Sequence, residues 1–155
     1  MDRSSLQGPK EALGHLARQQ AQELTMSSSG IGVDIELIQD INIENDTFIE
    51  RNFTIREQEY CQSRPNPHAS FAGKWCAKEA VIKAVSSLNL DYAKVWTKGD
   101  AAPLDEIEIN IANSGAPEVV LYGDAKDACV KAGVSSIKVS ISHIDDFAIA
   151  TAIAS

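Results

Sequence analysis

The chain has 155 residues, 44% of them hydrophobic and 23% charged, with a formal net charge of -8, which allows one domain burying about two thirds of its unfolded surface. So acidic a chain lacks the basic stripe that nucleic acid demands, and it contains no apolar run of the roughly 18 residues needed to cross a membrane. Three widely spaced cysteines, Cys61, Cys76 and Cys129, make no Cys-x-x-Cys or Cys/His cluster, and the amino terminus has no secretory pattern, so a reducing, cytoplasmic setting without structural zinc is expected.

Taken in chain order, residues 9 to 25 are predicted to form a helix, with Pro9 in its first turn and Leu13, Leu16, Ala17 and Leu24 on one thin apolar face. Met26-Ser27-Ser28-Ser29-Gly30 breaks that pattern, so residues 1 to 30 read as a helical extension and linker, and residues 31 to 155 as the domain proper. In GIGVDIELI, Ile31, Val33, Ile35 and Leu37 alternate with Gly32, Asp34 and Glu36. This is the period of a half-buried strand, with Asp34 on its outward, solvent-accessible face.

Short helices are expected over 46 to 51 and 55 to 63, the second opened by Thr54 and Glu57 spaced as a capping box. The longest helix starts at Asn66-Pro67 and runs to about Ser87, with Phe71, Trp75, Ile82 and Val85 available for a core. Residues 88 to 104 lack a period and read as a loop. The alternation of Ile107, Ile109 and Ile111, the turn NSGAPE and the run VVLYG predict a hairpin. Asp124 is placed to cap a helix ending at Gly133, and IKVSIS and FAIATAIA form two last strands around His143-Ile144-Asp145-Asp146. The order of strand, helices, hairpin, helix and hairpin gives an α+β fold with a mostly antiparallel sheet.

The chemistry concentrates in FAGKWCAKEAVIKA. Glu79 and Lys83 stand at i and i+4 on one helix face, an arrangement that on its own need be no more than a solvated ion pair. Combined with Asp34 it becomes an Asp, Glu and Lys set: two carboxylates suit magnesium, a hard cation that bridges protein to substrate phosphates, and a lysine neutralises phosphate charge or moves a proton.

Four blocks, GIGVDIELI, FAGKWCAKEAVIKA, NSGAPEVVL and VSISHIDDFAIA, together resemble the phosphopantetheinyl transferases of the holo-acyl-carrier-protein synthase type, and within that family the carboxy-terminal transferase domains of fungal fatty acid synthase alpha subunits. The resemblance covers residues 31 to 154. It implies the 4′-phosphopantetheinyl transferase fold, an antiparallel sheet packed on one long helix and shorter ones, and transfer of the arm of coenzyme A to a serine of an acyl carrier protein domain. It implies Asp34 and Glu79 as magnesium ligands, Lys83 beside the reacting phosphate, and His143 at the coenzyme A end. Either Glu79 or Lys83 is then a candidate for the base that takes the serine proton. It also implies a homotrimer for an isolated copy, with the site at the subunit boundary.

Lys74 and Arg64 are candidate phosphate contacts by position, and Gly99, Ser114, Gly115 and Pro117 are candidate coenzyme A contacts. The chain departs from the family at Ser114-Gly115-Ala116-Pro117, where relatives often carry a basic residue, and at Asp100, which brings negative charge beside Gly99. Two other readings use the same residues: a metal-dependent phosphodiester hydrolase, and a structural domain of a megasynthase with a vestigial site.

Overall fold

The computed structural model describes residues 29–88 and 103–155, with His15. The expected helix at 9 to 25, most of the extension at 1 to 30 and most of the loop at 88 to 104, including Gly99, lie outside the described residues.

Strand β1 (Gly30–Leu37) leads through a short 3-10 turn to helices α1 (Asp46–Asn52), α2 (Ile55–Gln62) and α3 (Pro67–Leu88). A second 3-10 turn at Leu104–Glu106 opens the hairpin β2 (Ile107–Ile111) and β3 (Pro117–Leu121); α4 (Gly123–Lys131), β4 (Ile137–Ile144) and β5 (Phe147–Ala154) complete the chain. The five strands form one antiparallel sheet in the order β1-β5-β4-β3-β2, with α3 across its inner face.

Local chemistry accounts for the helix starts. Asn45 accepts from Phe48 N to cap α1, and Thr54 and Glu57 form the expected capping box on α2. Asn66 accepts from Ala69 N at the start of α3. At α4 the cap differs from expectation. Tyr122, not Asp124, holds the N-cap position, and the side chain that reaches the first turn is Glu106, which accepts from Ala125 N at 2.8 Å. Asp124 lies inside that turn, where its charge favours the helix N-terminus.

The core combines Phe53, Phe71, Val81, Val85, Ile107 and Ile109 with a run of small residues on α3 and β5. Each of the larger side chains contributes about 1.5–3 kcal/mol of burial. The open edge of β2 is closed by charge: Ile109 N donates to Glu57 at 2.8 Å, and the Ile109 carbonyl accepts from Lys74. These two buried side chains stand in for a missing neighbour strand.

Strand β1 reverses the burial that its alternation suggests. Ile31, Val33 and Ile35 are exposed by 70%, 53% and 59%, while Gly30, Gly32 and Asp34 turn inward onto α3. The cause is α3 itself. A Cβ on Gly30 would sit 1.9 Å from the Ala84 carbonyl oxygen, and one on Gly32 2.0 Å from that of Ala80. Two backbones meet there, a contact only glycine allows. The opposite face of the sheet carries Ile31, Val33, Ile35, Ile144, Phe147 and Ile153 outward.

A candidate active site on the seam between β1 and α3

The glycines that let β1 rest on α3 also decide what the seam displays. Two residues after Gly32, Asp34 points into it, 8% exposed, and from the facing side of α3 Lys83 Nζ donates to Asp34 Oδ1 at 2.7 Å and to the Val33 carbonyl at 3.2 Å. Glu79, one turn before Lys83, is half-buried on the same seam. The alternation in β1 predicts a solvent-accessible Asp34; the structure buries it, because the inward face of β1 is the one bearing the small and acidic residues.

Electrostatics ties the three groups together. Burial, and then the charge of Asp34, raise the proton affinity of Glu79 above the usual carboxylate range, with Lys83 opposing and Glu36 adding to the rise. The hydrogen bond to Asp34 raises Lys83 above the ordinary lysine value, so Lys83 is a fixed cation. Asp34 Oδ2 is buried with no hydrogen-bond partner. An orphaned carboxylate oxygen beside a second carboxylate that its surroundings disfavour is a donor set suited to a small dication. Among the described residues no three histidine, cysteine or carboxylate side chains gather around one point. A metal held here would take few protein ligands and complete its shell with water and substrate oxygens, the habit of magnesium.

Glu36 is a neighbour of the site that the sequence pattern does not single out. It lies two residues from Asp34 on the same strand face and feels the same seam. The signal was present as Asp34-Ile35-Glu36, an acid pair at the strand period, and was obscured by reading the aliphatic side as the buried one.

The remaining candidates collect elsewhere. His143 Nε2 donates to the Ala69 carbonyl at 2.7 Å and packs on α3 at Gly73, six residues before Glu79 (79 − 73) and so about 9 Å along the helix axis. With Tyr60, Ser70, Lys74, Gly115 and Pro117 it lines a cavity of about 200 Å³. Arg64 and Lys74 both lie over the Tyr60 ring, at 5.4 and 4.7 Å from its centroid. Lys74 is buried, its proton affinity lowered by that burial, and its ammonium is engaged by the Ile109 carbonyl. Gly115, at φ +85°, makes the tight turn that brings Pro117 to the cavity, and Ser114 is exposed, accepting from Ala116 N at 3.4 Å. The structure therefore forms two groups within one chain: Asp34, Glu79 and Lys83 on the seam, and His143, Lys74, Gly115 and Pro117 around the cavity, with Arg64 beside it.

The family model of the 4′-phosphopantetheinyl transferase superfamily matches residues 30–152. The fatty acid synthase subunit alpha of Schizosaccharomyces pombe is 53% identical over 131 residues, 84% of this chain and 7% of the relative; that of Candida albicans is 48% identical over 153 residues, 97% of this chain and 8% of the relative. The chain thus spans less than a tenth of the length of these curated relatives. Among solved structures, a Chronobacterium ammoniagenes ACPS-CoA complex superposes with a TM-score of 0.68 at 28% identity, covering 83% of this chain and 97% of that one. Helicobacter pylori holo-[acyl-carrier-protein] synthase in complex with coenzyme A gives 0.63 at 27%, covering 81% and 99%. With its five-stranded antiparallel sheet, its long central helix and this match along most of its length, the chain belongs to the 4′-phosphopantetheinyl transferase superfamily.

Proposed function

We infer that the chain transfers the 4′-phosphopantetheine arm of coenzyme A to a serine of an acyl carrier protein domain, releasing 3′,5′-ADP, and so activates the carrier of a fatty acid synthase. The observation that carries this reading is the seam: Asp34, Glu79 and Lys83 converge in a fold whose solved relatives include complexes with coenzyme A. Residues 31–155 act as the transferase unit.

In the reaction the carrier serine Oγ forms a bond to the β-phosphorus of coenzyme A. The bond from that phosphorus to the bridging oxygen breaks, and 3′,5′-ADP leaves with the electron pair. Magnesium held by Asp34 and Glu79 would supply positive charge for the diphosphate. Lys83, already a donor to Asp34 and to the Val33 carbonyl, acts as a second cation toward the phosphates and not as a base. We assign Glu79, whose burial and neighbouring Asp34 raise its proton affinity, as the group that takes the serine proton, directly or through water. The basic pocket around His143 and Lys74 is left to receive another part of coenzyme A.

Two features support a homotrimer for the isolated domain: the apolar outer face of β1 and β5 is exposed, and the two groups of site residues stand apart within one chain, as expected of a site shared across a subunit boundary. Three buried free thiols suit a reducing cytoplasm.

Incubation with coenzyme A, magnesium and an apo carrier domain tests the proposal by mass spectrometry. Gain of the phosphopantetheine arm on the carrier with release of 3′,5′-ADP is expected. Cleaved coenzyme A beside an unmodified carrier would make the protein a hydrolase; neither product, together with no magnesium-dependent coenzyme A binding, would leave a structural domain.

A further inference from the structure

Lys78 directly precedes Glu79 yet faces away from the seam, fully buried. Its ammonium has three partners: Glu57 Oε2 at 2.7 Å, the Asn52 carbonyl at 2.6 Å and the Leu104 carbonyl at 2.8 Å. Glu57 is equally committed, accepting from Thr54 N at 2.9 Å and from Ile109 N at 2.8 Å. One ion pair thereby joins the end of α1, the start of α2, the turn before β2 and the open edge of β2 to a single point on α3.

The charge attraction within such a pair is a poor device for stability, since apolar replacement of an ion pair is often neutral or better, although the hydrogen bonds to the main chain here are stabilising. What it does provide is direction. Three donors of one ammonium aimed at three separate elements fix the rotation of α3 about its own axis, and the next residue along that axis is Glu79. A hydrophobic contact at position 78 would tolerate a turn of the helix that this arrangement forbids.

We propose that Lys78, held by Glu57, is a positioning residue for the seam, setting the helix rotation at which Glu79 and Lys83 meet Asp34. This rests on the transferase reading for its kinetic consequence, though not for its geometric one. Loss of Lys78 leaves substrate contacts in place and loosens the carboxylate pair. The expected defect is therefore in turnover and metal affinity, of the 10- to 100-fold size typical when the groups that support metal ligands are removed.

The test compares the whole chain with Lys78→Met, Glu57→Gln and the double variant Lys78→Met/Glu57→Met, each assayed at a temperature where unfolding curves show it folded. For Lys78→Met and Glu57→Gln the expectation is a kcat lowered about 10-fold or more, a KM for coenzyme A within about 3-fold of the parent, and manganese binding by electron paramagnetic resonance without coenzyme A weakened about 10-fold. The double variant leaves the Thr54 and Ile109 amides and the Asn52 and Leu104 carbonyls without these partners, so it is compared only where it is folded, and there its kcat and manganese affinity should stay as low as those of Lys78→Met. A folded double variant, or a folded Lys78→Met, with normal kcat and manganese affinity would overturn the proposal. A crystal structure of the double variant isolates the geometric half: the Lys83 to Asp34 contact should lengthen beyond hydrogen-bonding range, and an unchanged contact refutes the positioning role. If the parent proves to transfer nothing while that contact is still lost in the variant, the transferase reading falls and the positioning role stands.

Discussion

Gly73 lies directly beneath His143, so that a Cβ at position 73 would sit 2.6 Å from the imidazole Nε2. Alanine suits a helix better than glycine by up to about 1 kcal/mol, so Gly73→Ala keeps α3 while pushing the ring away from Ala69 and out of the cavity. The expected result is a KM for coenzyme A raised several-fold with a smaller change in kcat, measured where the variant is folded, because the same Cβ would also meet Ile141 Cγ2 at 3.0 Å. An unchanged KM would remove His143 from the binding site.

The two carboxylates of the seam differ in what they cost the free protein. Asp34→Asn and Glu79→Gln are both expected to lower transfer by at least about 100-fold. Their thermal stabilities should part. Glu79→Gln removes a charge that burial and Asp34 disfavour and should raise the midpoint of unfolding, whereas Asp34→Asn breaks the ion pair with Lys83 and should lower it. Calorimetry of the two variants without metal decides the matter, and equal shifts of the same sign would contradict this account of the seam.

Lys83 makes a pH-dependent contribution of known sign. Its hydrogen bond to Asp34 raises its folded proton affinity above that of the unfolded chain. The stabilisation is therefore complete below the unfolded lysine value, near about 10.4, and is lost as pH rises through the higher folded value. The side chain is half exposed, so only a few tenths of a kcal/mol are involved. Denaturation of the parent and of Lys83→Met should differ at about pH 8 and converge as pH rises beyond the unfolded lysine value; a gap that widens with pH would reverse the assignment. In assays, Lys83→Ala should slow transfer while still binding coenzyme A.

Gly32→Ala tests the backbone contact. A Cβ at that position would lie 2.0 Å from the Ala80 carbonyl oxygen, and no flexible side chain can yield. A loss of about 3 kcal/mol or more in urea unfolding is expected, with the carboxylate site disturbed in whatever fraction remains folded. A fully stable, active variant would mean that β1 and α3 can separate without consequence.

The outer sheet face offers a fifth measurement. Val33 and Ile153 are about half exposed on that face, so Val33→Lys or Ile153→Lys should leave the unfolding free energy of the isolated chain within about 0.5 kcal/mol of the parent at low concentration. If the apolar face is the subunit contact, sedimentation should show trimers dissociating to monomers in both variants, with transfer lost alongside. Trimers that persist would place the contact elsewhere.

Much of the fold was legible because its elements are locally signalled. The capping box at Thr54 and Glu57, the Asn66-Pro67 start of α3 and the strand alternation at Ile107, Ile109 and Ile111 all form where their residue types dictate. Asp34, Glu79 and Lys83 were legible as types and spacing, and the structure gathers them. What could not be read was which side of β1 is inside. A strand of alternating glycine and aliphatic residues looks as if it buries the aliphatics, and only the small-residue face of α3, far along the chain, makes the glycine side the better fit. Lys78 was equally opaque: beside Glu79 it reads as surface charge, and its partners Glu57, Asn52 and Leu104 are brought to it by tertiary structure.

The contact of Gly30 and Gly32 with the carbonyls of Ala84 and Ala80 means that the gap spanned by the acid of the strand and the acid of the helix is gauged by bare main chain. Rotamers adjust to their surroundings; two touching backbones hardly do. The bite of the site is thus a calliper whose opening bare main chain sets, leaving its rotation to Lys78, and a single methyl group on either glycine would act as a wedge between its jaws.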